Sequence, residues 1–128
     1  MHLIWPDRRY GTWEVRYRRS EDGGDTWGEV RRLTFINAPH SWATHCKTYA
    51  HGSRVHLAWA DSPEGVDQPY SAHYMTSPDC GLTWGPPERL TYPSDGPCWA
   101  AGVGGADTWA LVSLGLPDSL SYRQRELT

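Results

Sequence analysis

Phenylalanine is nearly missing from this chain: one residue stands against eight tryptophans and seven tyrosines. Rings that carry a polar handle suit half-wet sheet faces, carbohydrate-type surfaces and packing between sheets. No apolar run is long enough to cross a membrane, and His2-Leu3-Ile4-Trp5 reads as a strand rather than a leader. The compartment stays open. Cys46, Cys80 and Cys98 form an odd count without metal-ligand spacing, so free thiols are expected and a metal site is not. Net charge is −3 with acids and bases interspersed, which leaves no footprint for nucleic acid or an anionic membrane. Arg16, Arg18 and Arg19 read as a solvated strand face whose field Glu14, Glu21 and Asp22 blunt. Nucleophile-elbow, phosphate-loop and zinc patterns are missing, no cofactor is called for, and no stretch has the helical period.

What is present is a repeat. Residues 20–27 read S-E-D-G-G-D-T-W and residues 77–84 read S-P-D-C-G-L-T-W. Ser20, Asp22, Gly24, Thr26 and Trp27 recur as Ser77, Asp79, Gly81, Thr83 and Trp84 at a spacing of 57. The residue types are those of a tight turn between strands. An Asp carboxylate accepts from the backbone N–H groups that follow it, and Gly supplies a positive φ without steric cost. Ser and Thr satisfy further amides, and Trp closes the loop by burying its ring against the sheet.

Both octets match S-x-D-x-G-x-T-W, and the chain resembles the Asp-box, or bacterial neuraminidase repeat, family. The resemblance implies an all-β fold made of blades of a sialidase-like β-propeller, with each box a structural turn between strands C and D of a blade. A whole propeller takes four to eight blades, more than 128 residues can build. The expected architecture is a partial propeller of about two and a half four-stranded antiparallel blades. It forms a single segment with repeat units at about 1–40, 41–97 and 98–128.

The repeat extends beyond the octets. Arg32-Leu33-Thr34 matches Arg89-Leu90-Thr91, and Trp42-Ala43 matches Trp99-Ala100, at the same spacing. His2-Leu3-x-Trp5 matches His56-Leu57-x-Trp59 at a spacing of 54. Six tryptophans are thereby paired, which favours a packing role for them over ligand stacking. Alternation and turn residues place strands at 2–5, 13–19 and 28–34 in the first unit. The second unit has strands at about 45–50, 54–60, 70–76 and 86–91, and the third at 99–103, 109–114 and 120–126. Tyr122 stands where Tyr17 and Tyr74 stand in the earlier units, and the last unit lacks its octet. Residues 2–5 are apolar enough to be buried on both faces, and Pro6–Thr12 reads as a loop.

A sialidase-type site implied by the resemblance needs an arginine triad for a substrate carboxylate and a Tyr nucleophile with Glu and Asp partners. The Arg-Ile-Pro signature is absent, no such set maps onto this chain, and no catalytic residue is assigned. Loop residues opposite the octets, Asp7, Arg8, Arg9, His40, Asp61 and Glu64, are the candidate ligand contacts. Asp7 with Arg9 is the most telling pair, because both follow directly from a strand. His45 and Cys46, adjacent on a strand, point to opposite faces and share no metal easily. Two function classes follow. One is a non-catalytic segment that binds a glycan or protein, or acts as a scaffold, and completes its ring by self-association as a dimer or within a longer chain. The alternative is a fragment of an exo-sialidase or related glycosidase whose catalytic residues lie outside this chain.

Overall fold

The computed structural model describes residues 1–9, 11–34, 43–62, 70–92, 101–104, 108–115 and 119–126, with backbone alone at 44–45 and from 101 onward. All regular structure in them is strand. The strands are β1 (His2–Asp7), β2 (Glu14–Arg19), β3 (Arg31–Arg32), β4 (Thr44–His51) and β5 (Arg54–Asp61), followed by β6 (Ser71–Ser77), β7 (Glu88–Arg89), β8 (Ala101–Gly104), β9 (Thr108–Gly115) and β10 (Ser119–Glu126). They form three antiparallel sheets in chain order: β1-β2-β3, β4-β5-β6-β7 and β10-β9-β8. The all-β expectation holds.

Three local expectations need correction. The outer strands β3 and β7 have two residues each rather than six or seven. A short edge strand offers few unpaired groups to a foreign chain. Strand β1 runs on through Pro6, opposite Val15, and ends at Asp7 opposite Glu14. Proline is tolerated there because β1 is the edge of its sheet and pairs on one side only. Nor is β1 buried on both faces, since the side that carries Leu3 is open and Leu3 is 46% exposed.

Strand β5 has the double burial instead, with every residue from Val55 to Asp61 inside. Its side chains alternate between two clusters, as the period of a strand requires. Leu57 and Trp59, with Met75 of β6, pack on Val15, Tyr17 and Leu33 of the first sheet. Ala58 and Ala60 face the other way with Ala72 and Tyr74. The first two sheets therefore stack face to face. Full burial of side chains such as Leu57 contributes about 1.5–3 kcal/mol each.

The Arg-Leu-Thr repeat has a physical cause. Arg32 Nε donates to the Thr34 carbonyl at 2.9 Å, and Arg89 Nε donates to the Thr91 carbonyl at 2.9 Å. The threonine hydroxyls accept from the neighbouring strand, Val15 N at 2.9 Å and Ala72 N at 2.8 Å. Side chains thus continue the ladder where the outer strand ends. The two units differ beneath the arginine. Arg32 Nη2 meets the fully buried Glu14 carboxylate at 2.6 Å, whereas Arg89 Nη2 donates to Ser71 Oγ at 2.7 Å.

Candidate functional site

The two octets close the same way. Ser20 Oγ accepts from Gly24 N at 2.8 Å and donates to Asp22 Oδ1 at 2.7 Å. Thr26 N donates to Asp22 Oδ1 at 2.8 Å, and the Thr26 hydroxyl donates to Oδ2. In the second octet Ser77 Oγ accepts from Gly81 N at 2.8 Å and donates to Asp79 Oδ1 at 2.9 Å. Thr83 gives Asp79 its N–H at 2.8 Å and its hydroxyl at 2.5 Å. Each carboxylate serves two donors of a threonine four residues on, so its ionised form is favoured. The hydroxyl and then the N–H of Thr83 bring Asp79 down to about 2, and those of Thr26 bring Asp22 lower still. Every oxygen of these carboxylates is engaged within the turn. Gly24 and Gly81 have φ of 104° and 84°. Cys80, where the first octet has Gly23, also takes a positive φ of 58°.

The two tryptophans part company. Trp84 packs on the core cluster and meets Tyr17 edge-on, with ring centroids 5.1 Å apart. Trp27 stays half-buried beside Gly24.

At the opposite end of the hairpins, β1 delivers Asp7 into a local clamp. The Asp7 carboxylate accepts from Arg9 N at 2.8 Å, Nη2 at 2.8 Å and Nε at 3.1 Å. The Arg9 side chain first, then its backbone N–H, holds the Asp7 carboxyl below its usual range. The two residues singled out together as candidate ligand contacts bond each other, so the arginine is occupied by its own loop. Arg8 is exposed and its carbonyl accepts from Gly11 N at 3.0 Å. His40 and Glu64 lie outside the described residues. The expected solvated arginine face is corrected too. Arg16 is 5% exposed, opposite Trp5, and Arg18 caps the Gly28 carbonyl at 2.6 Å, because long side chains here fold along the sheet rather than into water.

Asp61 sits differently from Asp7, although each ends the corresponding strand. It is 4% exposed and lines a cavity of about 450 Å³ between the first two sheets. Trp59, His73, Trp84, Arg32 and Thr34 share that lining. The Trp59 and His73 rings stack at 5.5 Å and 18° as cross-strand partners. The indole N–H groups of Trp59 and Trp84 are buried and meet no acceptor among the described residues. Burial, then the Asp61 charge, pushes the Tyr70 hydroxyl up.

No protein-family profile matches the chain, and no curated protein matches it.

The cavity was not legible beforehand. The repeat marks Trp59 and Trp84 as packing residues, and nothing local says that Arg32, fifty-odd positions away from Trp84, closes the same space. A signal did exist: His73 and Asp61 are polar residues on strands that otherwise read as core. Among the described residues no group of three or more His, Cys, Asp or Glu is placed to hold a metal, and Cys46 and Cys80 carry free thiols.

Proposed function

We propose that this chain is a segment of a sialidase-like Asp-box β-propeller and acts as a non-catalytic binding module for a glycan or a protein carrying one. One observation carries the reading: two turns 57 residues apart have the same hydrogen-bond network between the last two strands of successive sheets. Successive face-to-face sheets of this kind, with β4 touching both β1 and β8, support blades set around a shared axis.

Binding rather than hydrolysis is favoured by how the arginines are used. Arg31 donates to the Gly81 and Leu82 carbonyls at 3.0 and 2.6 Å, Arg32 pairs with Glu14, and Arg9 pairs with Asp7. Each holds the protein to itself, so these guanidinium groups do not converge on a substrate carboxylate among the described residues. The inter-sheet cavity supports a polar ligand such as a sugar, because Arg32, Thr34, Asp61 and His73 bring polar groups to its lining beside aromatic ones.

The experiment is a screen of neutral and acidic glycans followed by tryptophan fluorescence, beside a fluorogenic sialoside assay. Binding without turnover is expected, and Asp61→Asn should weaken it about tenfold, the worth of one charge-assisted hydrogen bond. Turnover that survives purification, or binding indifferent to Asp61, overturns the proposal.

A further inference from the structure

The inter-sheet cavity is lined from two separate sheets. Arg31, Arg32 and Thr34 belong to the first, and Asp61, His73 and Met75 to the second. Trp84 and Pro87, in the segment that follows the second octet, line it too. Strand ladders act within a sheet, so they hold each wall but leave the gap between walls to contacts that cross from sheet to sheet.

Three hydrogen bonds from the first sheet land on the turn of the second octet. Arg19 donates to the Cys80 carbonyl at 3.2 Å, and Arg31 Nη1 to those of Gly81 and Leu82 at 3.0 and 2.6 Å. Beneath them the Tyr17 ring fills a notch at Gly81 and meets Trp84 edge-on. Tyr17 is fully buried, whereas Arg31 is exposed and belongs to the cavity lining as well.

The turn passes this constraint on to Trp84. Thr83 gives Asp79 both its N–H and its hydroxyl, at 2.8 and 2.5 Å, and Gly81 N donates to Ser77 Oγ at 2.8 Å. On the far side of Trp84, Gly85 N donates to the Thr76 carbonyl at 2.9 Å. A shift of Gly81 and Leu82 relative to the first sheet therefore carries Trp84 with it. Arg18 works differently at the first octet. It donates to the Gly28 and Trp27 carbonyls at 2.6 and 3.3 Å and so trims a hairpin of its own sheet.

We infer that Arg31 is a positioning residue for the cavity. Its guanidinium latches the second octet to the first sheet and thereby sets Trp84 relative to Arg32 and Thr34. A ligand then meets walls already in place, and the ordering that would weaken its binding is avoided. This role presupposes the binding reading only where a ligand is named.

Fluorine NMR of the full chain labelled with fluorotryptophan tests the latch without a ligand, so a failed glycan screen and a failed latch give different results. Trp27→Phe and Trp84→Phe assign the two lines that matter. Arg31→Met should shift the Trp84 line and enlarge its solvent isotope shift between water and heavy water, with the Trp27 line in place. Arg31→Lys keeps one ammonium donor without the planar fork and should return the Trp84 line part of the way. Arg18→Met should do the reverse, moving Trp27 and sparing Trp84. Arg31→Met should fold, because Arg31 is exposed; if it does not, Arg31→Lys set against Arg18→Met makes the same comparison. A Trp84 line unmoved in both Arg31 variants overturns the inference. So does a Trp84 shift that Arg31→Lys does not lessen, or one that Arg18→Met reproduces.

Discussion

The Tyr17 hydroxyl stands where a side chain at Gly81 would begin. A Cβ at Gly81 would lie 1.8 Å from Oη and 2.6 Å from Cζ of a ring that is fully buried. The same hydroxyl is 2.7 Å from His2 Nδ1, so the ring is held on two sides. One residue of the first sheet thereby locks the turn of the second.

The unequal cost of two glycine substitutions follows. Gly81→Ala must displace a buried ring and also place a Cβ at a φ of 84°. It should lose about 3 kcal/mol or more, overpacking and left-handed strain together. Gly24→Ala meets only the Met1 thioether at 3.4 Å and should lose about 1–2 kcal/mol through φ alone. Urea unfolding of both variants checks the ranking; equal losses would contradict the notch.

Arg32 and Arg89 should likewise differ. Removing the Arg32 guanidinium takes a cation from the fully buried Glu14 carboxylate, which Thr12 and Thr34 also contact, and Arg32→Met should cost about 3 kcal/mol. Arg89→Met deprives a neutral Ser71 hydroxyl and should cost about 1 kcal/mol. Glu14→Gln in the Arg32→Met background should recover part of the loss, because a buried charge is removed with its cation already gone. Chemical denaturation of the three variants measures this.

The octet carboxylates set an acid limb. Both have folded pKa values below the ordinary 3.8, so the unfolded chain binds their protons first. Their stabilisation is complete above 3.8 and is lost as pH falls from there through about 2, where Asp79 titrates. Melting temperatures across that range should fall in the wild-type chain. In Asp79→Asn the fall should be shallower, from a lower starting value.

His56 sets a second, milder limb. It is fully buried, with Nδ1 2.9 Å from the Tyr74 hydroxyl and Nε2 unpartnered among the described residues. Burial first, then Arg54, lowers its pKa below 6.5. The unfolded chain therefore takes up the proton more readily, and stability is highest above 6.5 and declines as pH drops below it. His2 adds to this with the same sign, through burial, the N-terminal charge and Arg19. A melting temperature that rises between pH 6.5 and 5 would refute the assignment.

Local chemistry was enough to place the octet turns and the all-β class, though not the ends of β1 or the length of the outer strands. Within each octet the carboxylate, hydroxyl and amide partners lie two to four residues apart, so S-x-D-x-G-x-T-W carries the whole network in itself. Alternation around Val15 and Tyr17 likewise needs no distant partner to be legible, whereas the double burial that the apolar run suggests at residues 2–5 belongs to β5 instead. What the chain could not show alone depends on how sheets stack. Tyr17 meets Gly81 across 64 positions, Glu14 is sealed with Arg32, and Asp61 faces a cavity while its counterpart Asp7 clamps the neighbouring Arg9. Sequence spacing sets which face a residue occupies, but only the packed neighbour decides whether that face is core, cavity or open surface.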